Sequence, residues 1–258
     1  MKEIVQIPEF RSIRFYETRV RLKIADTLDE NSCIELLASV KARSSSKLEP
    51  IGGGSAQAST ILGNSPELEY DQRIRFTISD SNTLSLGFGS KVVPAEMEAY
   101  TKNVFDVAIK VKRLQVSMLE LADIIHVFDT KFVGNQHALV ASVFYKGSVL
   151  ESVFPLDTFT CTGVSIGGAV LDSHERQCVV YVNANTSVGE ILFRKYDPDN
   201  LLDIIVGYAQ IRKVPWENVG QFMVNLLSDA RQYVVSNILD KILRPLDNAI
   251  VEDEGIRK

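Results

Sequence analysis

The stretch VSMLELADIIHVFDT (116–130) decides how this chain is read. Just ahead of it, Met97, Tyr100, Val104, Val107, Val111 and Leu114 recur at three- and four-residue steps behind Pro94, a residue suited to a first helical turn. Glu98–Lys102 and Asp106–Lys110 stand at i, i+4 on the outer side of that helix. If the helix ran on, Asp123 and His126 would be neighbours, and with Asp129 they would form a proton-transfer or metal-binding group. The stripe dissolves beyond Leu114, where β-branched and large apolar residues take over. A strand is the expectation. Its alternation turns Asp123, Ile125, Val127 and Asp129 one way and Ile124, His126 and Phe128 the other. The imidazole then points away from both carboxylates.

Upstream, FRSIRFYETRVRLKI (10–24) reads as a long strand with Thr18, Val20, Leu22 and Ile24 on one face and Arg19, Arg21 and Lys23 on the other. Ile13 and Phe15 have the opposite parity, which predicts a bulge or twist near Tyr16. Thr27 and Glu30 form a capping box for a helix over 28–42, with Ile34, Leu37 and Val40 inward. Residues 44–67 are rich in Ser and Gly and lack periodicity, so a long loop is expected. A hairpin follows: Ile74, Phe76 and Ile78 alternate with Arg73, Arg75 and Thr77, SDSN turns, and Leu84, Leu86 and Phe88 return.

Downstream, residues 138–213 carry mostly strand signals. ALVASVFYKGSVLESVF (138–154) has a Lys-Gly-Ser turn, TGVSIGGAVLDSHERQCVVYVN turns at 172–176, and LLDIIVGYAQI begins at 201. Pro215 opens a long amphipathic helix over 216–243, and the tail after Pro245 reads as frayed.

Two stretches echo each other. DSNTLSLGFGSKVVPAEMEAY (80–100) and DPDNLLDIIVGYAQIRKVPWENV (197–219) share an acidic turn, an apolar strand, Gly before an aromatic, and Lys-Val-Pro chemistry at a helix start. Gly87 matches Gly207 and Pro94 matches Pro215. The expectation is an α+β protein with antiparallel β-sheets, helices on one face and two related halves. The first half, 1–130, orders β-α-β-β-α-β, a ferredoxin-like arrangement, and contains the 44–67 loop. The second, 131–258, is strand-rich and closed by the 216–243 helix.

Composition narrows the classes of function. A hydrophobic fraction of 45% and a charged fraction of 24% are those of an ordinary globular protein. The net charge of −5 argues against diffuse binding to nucleic acid or anionic membranes. MKEIVQIPEF lacks the apolar run of a signal peptide, and no segment has the ~20 apolar residues of a membrane span. Cys33, Cys161 and Cys178 are widely spaced with no CxxC, as expected of reduced thiols in a cytoplasm.

The FTISDSNTLSLGFG hairpin (76–89) before a helix near Tyr100, the ADIIHVFD strand (122–129), and LLDIIVGY (201–208) before a long C-terminal helix carry one resemblance. In these elements the chain resembles a sporadically distributed family of uncharacterised prokaryotic proteins of similar length. The N-terminal ~60 residues fall outside the likeness. The family has no established catalytic residues, so the resemblance implies a fold and assigns no position a role.

Candidate chemistry is sparse. IGGGSAQAST (51–60) lacks both the spacing and the lysine of a phosphate loop, and SIGGAV (165–170) lies in a strand pattern. No cofactor, catalytic or metal site is expected. The turn residues Asp172, His174 and Glu175 are the best remaining metal ligands, and they or the 123–129 residues would carry a metal-assisted hydrolase. Arg19, Arg21, Lys23, Arg73 and Arg75 could gather on one sheet surface and contact phosphate or an acidic partner. GFG (87–89) lacks the second aromatic of an RNA-stacking motif. The leading expectation is a non-enzymatic protein-binding or assembly component of a prokaryotic multi-protein system, acting through a protein partner or self-association. A nucleic-acid-binding module comes second and the hydrolase third.

Overall fold

The computed structural model describes residues 6–7, 9–24, 27–41, 48–49, 58–62, 69–79, 82–112, 119–131, 136–144, 163–170, 176–183, 201–210 and 218–256. In chain order these form β1 (Arg14–Ile24), α1 (Glu30–Lys41), β2 (Leu48–Glu49), β3 (Ala58–Leu62), β4 (Ile74–Ser79), β5 (Thr83–Gly89) and α2 (Pro94–Lys112). Then come β6 (Leu119–Lys131), α3 (Gln136–Phe144), β7 (Gly163–Val170), β8 (Arg176–Asn183) and β9 (Leu201–Gln210). Helix α4 (Val219–Tyr233), a π-helical segment (Val234–Leu243) and α5 (Arg244–Ile256) follow without a break. The protein is α+β, and the described strands form one antiparallel sheet in the order β2-β3-β4-β5-β1-β6-β9-β8-β7.

Alternation sorts the sheet into two faces. Val20, Leu22 and Ile24 of β1, Phe76 and Ile78 of β4, Ile124 and Phe128 of β6, and Ile204 and Val206 of β9 enter one core. Met97, Phe105 and Ala108 of α2 and Met223, Leu226, Leu227 and Ala230 of α4 pack into the same core. Removing each of these strand side chains from water contributes roughly 1.5–3 kcal/mol, which fixes the register: a one-residue slip of a strand would turn its set outward. Ile125 and Val127 are also buried but lie outside that cluster, on the second face.

The pairing register reveals an internal quasi-two-fold relation. Arg19 of β1 pairs with Ile125 of β6 at the centre. Outward from Arg19 run Gly87, Arg75 and Ile61; outward from Ile125 run Gly207, Val179 and Gly167. The two glycines matched by the sequence echo thus flank the central pair symmetrically. Helices α1 and α3 open the same distance beyond Arg19 and Ile125, at Glu30 and Gln136. In this arrangement β6 is the counterpart of β1 and opens the second unit.

Four local expectations are corrected. Residues 138–144 lie in helix α3, not a strand, because Leu139, Val140 and Val143 form a helical stripe that packs on the core despite the β-branching of the two valines. Within 44–67, β2 and β3 pair antiparallel, and β3 pairs with β4, its Thr60 and Leu62 buried opposite Phe76 and Ile74. Helix α1 buries Cys33, Leu36, Leu37 and Val40, leaving Ile34 55% exposed. The C-terminal helix continues past Pro245 to Ile256. A proline ring clashes with the carbonyl four residues back in an α-helix. Here the wider π turn ends at Leu243, and Arg244 N–H donates to Leu239 O, which loosens the backbone directly ahead of the ring.

Helices α2 and α4 meet closely at Gly220. A Cβ there would fall 2.6 Å from Lys102 O and into the Asp106 carboxylate. Asp106 consequently sits at the N-terminus of α4, where a negative charge is favoured. No described helix is long and apolar enough to cross a membrane.

Candidate functional site

The strand expected within 116–130 is observed as β6, Leu119–Lys131, and it separates the opening triad. His126 faces the helices, with its Nδ1 3.0 Å from Thr18 Oγ1 on the paired strand. The ring is fully buried, next to Phe15 at 6.2 Å between centroids. Burial, reinforced by the nearby Arg231 guanidinium, pushes the imidazole pKa down to about 3. It is neutral at physiological pH and sealed from solvent. Arg231 itself is buried and donates to Met97 Sδ at 3.2 Å.

Asp123 and Asp129 face the opposite way, onto the second face. Arg21 grips Asp123 with Nε at 3.0 Å and a second bond from Nη2. One strand position along, Glu17 is fully buried and accepts from Arg19 Nε. Burial raises the Glu17 pKa, against the lowering pull of Arg19 and Arg75. The central register makes Glu17 and Asp123 counterparts in the two units, each holding an arginine.

The five cations singled out in the sequence do share this face. Strands β1 and β4 do not pair; β5 lies between them, placing Gly87 between Arg19 and Arg75. Beyond β6 the same face changes character, with Ile125, Val127, Val179, Ile205 and Gly207. Tyr181 is 42% exposed there, opposite Ile205. One half of the face is basic and the other largely apolar.

The end of the face at Glu17 is acidic. A bulge at Tyr16 shifts the β1–β6 register, as the change of parity predicts. The 3₁₀ turn Tyr70–Gln72 packs over Gly89, whose absent side chain lets the Asp71 backbone lie directly on it. A cleft of about 460 Å³ opens there, lined among others by Arg14, Tyr16, Glu69, Asp71 and Asp129. Arg14 lies 3.6 Å from Asp129, and Lys91 reaches Asp71 at 2.6 Å and Glu69 at 3.5 Å. Asp129 also pairs across the ladder with buried Asp203.

Two other polar clusters fasten elements together. Asp247 of α5 accepts from the backbone N–H groups of Ser12 and Ile13 at 2.8 and 3.0 Å, with Arg11 N–H at 3.3 Å. Arg176 joins β8 to Tyr208 and to Asp229 of α4, both at 2.9 Å. Burial raises the Cys178 thiol to about 11, and Cys33 is buried too.

Among the described residues no three His, Cys, Asp or Glu side chains converge as metal ligands. Asp172, His174, Glu175 and Cys161 lie outside the described residues. Sequence reasoning missed the acidic pair Asp129–Asp203 and the Asp247 clasp, both made across long separations in the chain. No protein-family model matches the chain, and no curated protein matches it.

Proposed function

We propose that the protein is a non-enzymatic binding component of a prokaryotic, cytoplasmic multi-protein system that docks a protein partner on the sheet face opposite its helices. The carrying observation is the makeup of that face: part-exposed, half basic and half apolar, with Tyr181 standing out of it. Aromatic residues so placed are common anchors of protein interfaces. The separation of His126 from Asp123 and Asp129 supports a binding role over acid–base chemistry at that stretch. A nucleic-acid reading draws on the same five cations, but Arg19 and Arg21 are already engaged by Glu17 and Asp123. Self-association through this face is the other form the reading takes.

A photo-crosslinking amino acid at Tyr181 or Gln177, compared in cells with one at Ile34 of α1, tests it. Discrete crosslinked species, identified by mass spectrometry, are expected from the sheet-face positions alone. Equal crosslinking from both surfaces, or none, sinks the reading.

A further inference from the structure

We infer that the outer edge of β7 pairs antiparallel with β7 of a second copy of this chain, joining two sheets across a molecular two-fold axis. This surface is a strand edge, distinct from the sheet face proposed for docking, and the inference stands without that reading. Among the described residues β7 pairs with β8 alone and ends the sheet. A strand edge presents a row of backbone N–H and C=O groups that template another strand, and proteins commonly guard it with lysine, proline or a bulge. GVSIGGAV carries no Lys, Arg, Asp, Glu or Pro. Its ladder with β8 runs without a register shift from Gly163–Asn183 to Val170–Arg176. Of the other described strands only β3 and β5 are uncharged, and each lies between two strands.

The internal quasi-two-fold relation gives the equivalent edge an occupant. Strand β3, the counterpart of β7, has β2 on its outer side, with Leu48 opposite Thr60 and Glu49 opposite Ser59. The counterparts of Thr60 and Ser59 are Ile166 and Ser165. One spacing along the chain relates Arg19 to Ile125, Glu30 to Gln136 and Ile61 to Gly167, and it carries Leu48 and Glu49 to Phe154 and Pro155. Proline has no N–H to give a ladder, so the sequence at that place is not suited to repeat β2. A second copy supplies the strand instead. Antiparallel pairing of a strand with itself is self-complementary, as a closed two-fold interface requires. Centred on Ile166 or on Gly167, it opposes no two charges, and Gly167 and Gly168 let the backbones approach closely. The helices of both copies then lie on one side of a continuous sheet. An edge of eight residues is a small interface, so the dimer is reversible and of micromolar strength.

Analytical ultracentrifugation of the full chain across micromolar concentrations tests this, and a monomer–dimer equilibrium is expected. Ser165→Lys/Ala169→Lys, which sets lysines near one another across the axis, should weaken the dimer about tenfold. Tyr181→Lys, opposite Ser165 on β8, should leave it unchanged. Circular dichroism checks the fold of the lysine variant. Should that variant misfold, a single cysteine decides: with Cys161→Ala as background, a short bismaleimide should yield a covalent dimer from Gly167→Cys and none from Ile34→Cys on α1. A chain that stays monomeric at every concentration overturns the inference. So does a dimer that Tyr181→Lys breaks and the lysine pair leaves intact, since it would belong to the sheet face, and so does crosslinking from Ile34→Cys equal to that from Gly167→Cys.

Discussion

At the scale of single residues, His126 turns a suggestive motif into a structural group with a measurable signature. Its folded pKa of about 3 lies below the 6.5 of an exposed imidazole. The unfolded chain therefore binds the proton first, and stability is fully present above pH 6.5 and is lost as pH falls toward 3. The limiting slope is about 1.4 kcal/mol per pH unit. Glu17 runs the other way: its pKa is raised, so its contribution is present below 4.5 and lost as pH rises. Urea unfolding between pH 7 and 4.5 should show a loss on acidification that His126→Leu flattens and Glu17→Gln steepens. An unchanged slope in His126→Leu would mean the ring is not buried neutral. Glycines offer a second contrast. Gly220→Ala should destabilise by about 1–3 kcal/mol, since its methyl has no room between Lys102 and Asp106. Gly255→Ala, with nothing near its Cβ, should be neutral or gain up to about 1 kcal/mol. Thermal melts of the two variants distinguish crowding from helix propensity.

At the scale of elements, the C-terminal helix does two jobs. Its α4 portion covers the sheet, and its α5 portion clasps the chain ahead of β1 through Asp247, with Arg244 over the Phe10 ring at 5.7 Å. Asp247 accepts hydrogen bonds from three backbone N–H groups in a buried setting. Asp247→Ala should cost about 3 kcal/mol and speed amide exchange at Ser12 and Ile13. Hydrogen-exchange mass spectrometry reads this directly, and unaltered protection of 9–14 would refute the clasp. Helix α2 followed from its long apolar period, and strand β6 from the loss of that period beyond Leu114 and the β-branched run that replaces it. Helix α3 did not: nine residues rich in Val and Leu fit either period, and only packing against β7 and α5 chose the helix.

At the scale of the whole molecule, the two units meet through β1 and β6, paired across the centre of the sheet. Each unit alone would leave that long edge and half of the core open. Chains comprising 1–115 and 116–258 should therefore be insoluble when expressed separately and should co-purify as a 1:1 complex when expressed together. Soluble, monomeric behaviour of either piece alone would show that the units are independent domains. The symmetry also accounts for the mixed character of the face proposed for docking. Equivalent positions carry Arg75 in one unit and Val179 in the other, and Arg19 in one and Ile125 in the other. A shared frame thus presents two different surfaces side by side.

The sequence by itself determined the α+β class, a strand within 116–130 and a bulge or twist near Tyr16, because period and parity are local properties of the chain. It also determined that His126 and its flanking aspartates diverge. Only the tertiary structure decided which strands are neighbours, that Glu17 and Asp123 hold Arg19 and Arg21, that β3 joins the sheet, and that the helix survives Pro245. These depend on contacts between residues far apart in the chain and on a backbone register that local preference does not encode. The echo of Gly87 in Gly207 lay between the two: visible as letters, it gained meaning only when pairing set both glycines beside the central strands.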